Sequence, residues 1–136
     1  MSAWVHVAGI VRIDMFRFPE EGENDEKEII ELMTNNFGKE LSFYDKIDKW
    51  EDAYKHPEYY LPFGSEGSLK MSVWINPDIY YMAAVTVSIF GDLRDYTDVN
   101  KIIEWFKKKC NSKNICVRNA CITVNNDYDE PVVWCM

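Results

Sequence analysis

The chain has no run of about 18 uninterrupted apolar residues, which excludes a membrane-spanning helix of ordinary length. Its start, MSAWVHVAGIVRID, lacks a basic n-region and reaches Arg12 and Asp14 early, so no secretory signal is expected and the expected compartment is the cytoplasm. Only two histidines occur, His6 and His56, and neither stands near a cysteine, which removes HExxH and sequence-adjacent Cys–His motifs. Cysteine is equally sparse: Cys110, Cys116, Cys121 and Cys135 form no CxxC pair. Cys116 and Cys121 are an odd number of residues apart, so on one regular strand they face opposite sides of the sheet. The expectation is therefore reduced, buried thiols and no zinc site. Basic charge is short as well. Lys and Arg number 15 against 23 Asp and Glu, a net charge of −8, and a non-specific nucleic-acid binder needs the opposite balance. There are no repeats and no low-complexity tracts.

What is present is apolar and aromatic. With 136 residues, 47% apolar and 15% aromatic, the chain can bury a core as one domain spanning residues 1–136. The stretch 61–96 carries the clearest pattern. Leu69, Met71, Val73 and Ile75 alternate with polar neighbours and Trp74, and Ala83, Val85, Val87 and Ile89 alternate with Thr86, Ser88 and Phe90. Period-two alternation between turn residues predicts two half-buried strands, joined through Asn76-Pro77-Asp78 as an antiparallel hairpin. Trp4–Asp14 predicts a further long strand, with Gly9 inside it marking a bulge or a close backbone approach.

Two amphipathic helices are expected. One opens on an Asp25/Glu28 capping box and ends at Phe37-Gly38. The other is capped by Thr97 or Asp98 and carries Val99, Ile102, Ile103, Phe106 and Cys110 on one face. Residues 39–62 read as an insertion holding a short helix that stops before Pro57. Strands at 115–124 and 132–135 complete the chain. The order strand, helix, strand, strand, helix, strand predicts an α+β, ferredoxin-like split βαβ sheet with both helices on one face and a short extra terminal strand. The other face, bearing Trp4, Ile10, Trp74 and Phe90, is too apolar for water. It must be covered by the insertion, a partner or a second copy, and a homodimer is expected.

Two loops carry the candidate chemistry. In Leu61–Leu69, Gly64 and Gly67 allow strained backbone whose amides can form an anion-binding nest, with Ser65, Ser68 and Lys70 beside it. Glu66 opposes phosphate and suits a base edge or an arginine instead. The spacing matches neither GxxxxGK[ST] nor GxGxxG. Phe90–Tyr96 is read as the end of a strand opening a helix, where Arg94 can take an anion while Asp92 and Asp95 orient it. The same segments read as a tight turn and a helix-entry loop with a salt bridge. Hairpin geometry places both loops at one end of the sheet, with Arg94 in reach of Glu66. Asp92, Asp95 and Glu66 could also hold a divalent metal in an enzyme, the least favoured alternative. His6 reads as a satisfied structural residue.

The strings WVHVAGIVRID, LPFGSEGSLKMSVW and VSIFGDLRDY resemble those of a group of small bacteriophage and prophage proteins with no established activity, over most of the chain outside 20–25 and 39–60. In size and expected fold such proteins are similar to anti-defence proteins, namely anti-CRISPR inhibitors and sponges for cyclic or ADP-ribose-derived immune signals. The resemblance implies a non-catalytic protein, without cofactor, that blocks a host immune component by stoichiometric binding in the host cytoplasm. The alternative it implies is a sponge for a nucleotide-derived signal.

Overall fold

The computed structural model describes residues 3–16, 25–76, 82–96 and 98–136. Among these residues five strands and three helices are formed: β1 (Trp4–Phe16), α1 (Asp25–Phe37), α2 (Ile47–Lys55), β2 (Lys70–Ile75), β3 (Met82–Arg94), α3 (Val99–Cys110), β4 (Cys116–Asn126) and β5 (Val132–Cys135). A short 3-10 turn, Pro57–Tyr59, follows α2. The Pro77–Asp78 turn, Thr97 and most of the 19–25 loop lie outside the described residues.

All five strands lie in one antiparallel sheet, in the order β2-β3-β1-β4-β5. The two longest strands sit side by side near its middle, with Gly9 opposite Ile89. Their alternation decides the packing. Val5, Val7, Val11 and Ile13 of β1 and Val85, Val87, Ile89 and Leu93 of β3 point to one face and are buried there. Ile29, Met33 and Phe37 of α1 and Ile102, Ile103, Phe106 and Cys110 of α3 close over that face in a single core. A Cβ at Gly9 would stand 3.3 Å from both Ile122 and Phe106, so the missing side chain is what lets the Phe106 ring settle onto the sheet. Asp98 caps α3 by accepting from the Asn100 amide at 3.0 Å, and Lys107, Lys108 and Lys109 meet the negative end of the helix.

Three expectations need correction. β3 does not end at Phe90: Gly91–Arg94 continue it, held by pairing to β1 from Val7 back to Trp4. The segment read as a helix-entry loop is therefore mostly strand, and its amides serve the sheet. Second, the cysteines are not all free. Cys121 and Cys135 are direct cross-strand partners, their Cα atoms 4.2 Å apart, and they are bonded as a disulfide. Cys110 remains a buried thiol and Cys116 an exposed one. Third, the β1–β4 register shifts between Arg12 and Ile13, and Arg118 is the extra residue. Cys116 then pairs with Asp14 and Cys121 with Ile10, so both face the same side of the sheet.

The insertion packs on the domain around its own cluster of Leu41, Ala53 and Tyr60, with Trp50 and Phe63 against it. Glu40 accepts from the Met71 amide at 2.6 Å, and the Lys70 ammonium donates to the Leu41 carbonyl. These contacts strap the insertion to β2. They do not carry it across the outer sheet face, where Ile10, Trp74 and Phe90 remain 52%, 55% and 46% exposed.

Candidate functional site

The two loops singled out from the sequence come together in space. Phe63 pairs with Ser68, and the Gly64 amide donates to the Gly67 carbonyl at 3.0 Å, closing a small hairpin. That hairpin lies against the end of β3: the Ser65 amide donates to the Arg94 carbonyl and the Arg94 amide to the Glu66 carbonyl, both at 3.0 Å. The glycines are there for proximity. A Cβ on Gly64 would stand 2.3 Å from the Arg94 carbonyl oxygen, and one on Gly67, whose φ is +82°, 2.2 Å from that of Asp92. With Gly64 and Ser65 amides already donating to carbonyls, the loop is a sheet extension and the anion nest is not formed through them.

The side chains follow the same logic. Arg94 Nη1 donates to Glu66 Oε1 at 2.8 Å, and its Nε lies 3.9 Å from Asp95. Asp95, at φ +56°, turns the chain out of β3 and accepts from the Ser65 hydroxyl at 2.8 Å. Among the described residues the Asp92 carboxylate meets His6, whose Nδ1 donates to it at 2.6 Å. The other ring nitrogen of His6 meets Asp127 at 2.8 Å. This Asp92–His6–Asp127 bridge, with its ends 86 and 121 residues from the histidine, had no local signal in the sequence. The hydrogen bonds to Asp92 and then Asp127 raise the His6 pKa. Among the described residues no three His, Cys, Asp or Glu side chains are grouped to hold a metal ion. Each carboxylate of the Asp92, Asp95 and Glu66 set is instead engaged as above.

Beside the hairpin opens a cleft of about 750 Å³. One wall is Ser65, Glu66, Gly67, Ser68 and Lys70 with Phe90, Gly91 and Asp92 of β3. The other is the insertion: Leu41, Ser42, Phe43, Asp45, Ile47, Trp50 and Tyr54. Gly64, Arg94 and Asp95 stand behind the first wall, outside the cleft. The insertion wall is ordered from within. The Trp50 indole donates to the Ser42 carbonyl at 3.0 Å, and Tyr60 donates to Asp52 at 2.5 Å. Asp45 accepts from the Ser42 amide at 2.6 Å, which holds its pKa below the usual value, and pairs with Lys49 at 3.2 Å.

The insertion wall is the part that sequence reasoning missed. Its signal was present: Phe43, Tyr44, Ile47, Trp50 and Tyr54 are more apolar bulk than a nine-residue helix and its leader can bury. Phe43 and Tyr44 are 88% and 92% exposed, and Ile47 and Tyr54 also reach solvent. No protein-family model matches this sequence, and no curated protein matches it either.

Proposed function

We propose that the chain is a non-catalytic binding protein of the phage anti-defence kind, acting in the host cytoplasm, and that the cleft is where it grips a host protein. One observation carries this reading: Phe43, Ile47 and Tyr54 stand exposed in the wall of an aromatic cleft, with Tyr44 exposed against Phe43. A large apolar side chain left in water forfeits roughly 1.5–3 kcal/mol of burial, and aromatic anchors beside a pocket are the usual hot spots of protein recognition. Asp45, Glu66 and Asp92 border the same cleft, so a partner offering an apolar side chain flanked by lysine or arginine fits better than a phosphate. Within the fold, the order β2-β3-β1-β4, with β3 between β1 and β2, supports the ferredoxin-like split βαβ reading.

Affinity capture from bacterial lysate tests it, comparing the unmodified chain with Ile47→Asp and Tyr54→Ala and identifying both retained proteins and retained small molecules. The expected result is a protein held by the unmodified chain, weakened by salt and lost from both variants. Retention of a nucleotide alone would replace the reading with the sponge, and equal retention of a protein by the variants would remove the cleft as its site.

A further inference from the structure

The outer face of the sheet carries a pattern that the cleft shares only at Phe90 and Asp92. Its rows can be read from the strand register. One row holds Phe90, Ala8 and Thr123 on β3, β1 and β4; the next holds Ser88, Ile10 and Cys121. Large and small side chains therefore exchange places from row to row: Phe90 is followed by Ser88 on β3, whereas Ala8 is followed by Ile10 on β1. The small residues leave a hollow of about 360 Å³ between the two large ones. Charge is divided along the same strands. Arg12 lies at one end and forms no ion pair among the described residues, and Arg118 beside it pairs with Asp14 at 3.4 Å. The other end holds Asp92 and Asp127 around His6, net negative by one charge when the imidazole is protonated.

We infer that this face docks a second copy of the chain, sheet against sheet, about a two-fold axis that crosses the strands at Gly9 and Ile89. Such an axis reverses strand direction and keeps each strand over its own counterpart. Ile10 then enters the space above Ala8 of the second copy, and Phe90 that above Ser88, so each copy supplies both knob and hollow as an isologous contact requires. The same operation carries Arg12 over the His6 row. Packed sheets are rotated by about 30°, which at ~10 Å from the axis displaces Arg12 by ~5 Å, one strand spacing, and brings it towards Asp92 or the Asp127 side. The planar footprint of the face is about 600–700 Å² per copy before side-chain relief is counted, near the roughly 800 Å² per partner of a standard interface.

Sedimentation equilibrium across the micromolar range tests this with three variants. The unmodified chain should sediment at twice its 16.0 kDa mass. Ile10→Glu, Arg12→Asp and Asp92→Arg should each dissociate, by about 100-fold in Kd for like charges brought together. An equimolar mixture of Arg12→Asp with Asp92→Arg should dimerise again, because both cross-copy pairs are then of opposite sign. Ile10→Glu and Arg12→Asp alter exposed side chains, so these two decide the face even if Asp92→Arg, which also loses the His6 bond, folds poorly. A mass of 16.0 kDa at every concentration overturns the proposal, as does a dimer indifferent to Ile10→Glu and Arg12→Asp. A folded pair of charge variants that stays monomeric when mixed overturns the register.

Discussion

His6 offers the sharpest physical test. An imidazole that meets a carboxylate oxygen at 2.6 Å through one nitrogen and another at 2.8 Å through the second must carry both protons, since a bare nitrogen would set lone pair against lone pair. The folded chain thus binds this proton more tightly than the unfolded chain, whose histidine titrates near the ordinary value of 6.5. The resulting stabilisation is complete below that value and is lost as pH rises through the raised, folded-state pKa. The side chain is 44% exposed, so solvent screening limits its two ion pairs to about 1 kcal/mol together, or about 3–5 °C in Tm for a chain of this size. Thermal melts of the unmodified protein and His6→Gln should therefore differ by that amount near pH 6 and converge near pH 9, with the gap at the lower pH shrinking in salt. A gap of equal size at both pH values would refute the reasoning, because it would place the effect in packing and not in the proton.

Gly67→Ala should cost about 2–3 kcal/mol in chemical denaturation, since it adds a Cβ at φ +82°, 2.2 Å from the Asp92 carbonyl; an unchanged midpoint would show that the hairpin can move off β3. Burial pushes the Cys110 thiol up to about 11, so brief iodoacetamide treatment of the folded protein near pH 8 should label Cys116 and spare Cys110. Thiol titration of the denatured, unreduced protein should count two groups per chain, because Cys121 and Cys135 are bonded; four would remove the disulfide. Asp98→Ala should lower stability by about 1 kcal/mol through loss of the α3 cap.

The parts of this fold legible in the sequence are those written by local periodicity. Val85-Thr86-Val87-Ser88-Ile89 alternates because one face is core, and Ile102, Ile103, Phe106 and Cys110 recur at helical spacing for the same reason. Features set by pairing between distant segments were hidden. Gly91 and Asp92 look like a loop in isolation; they are strand because Val7 and His6 lie opposite them. The parity argument for Cys116 and Cys121 failed on one bulged residue, Arg118, and the Cys121–Cys135 bond depends on a hairpin register fixed beyond either cysteine's neighbours. At the candidate site, the meeting of Glu66 with Arg94 follows from hairpin geometry and was readable. The cleft was not, because it depends on where α2 comes to rest against the GSEGS hairpin.

The strap between Glu40 and Met71 has a consequence for how this protein can misassemble. A sheet of this kind can recruit another chain only through edge amides that still point outward. At the β2 edge the Glu40 carboxylate occupies the Met71 amide and the Lys70–Leu41 bond holds the insertion alongside, so an incoming strand finds this border blocked at its first residues. At the opposite border the close 4.2 Å Cα spacing of Cys121 and Cys135 marks a pair whose backbone groups turn away from one another. The amides and carbonyls of Cys135 and, two residues earlier, Val133 therefore face outward from β5, flanked by exposed Val132 and Met136. Growth by strand addition is consequently unequal: a seed of this protein would extend more readily from β5 than past the blocked start of β2, and a charged residue at Val133 would act as its gatekeeper.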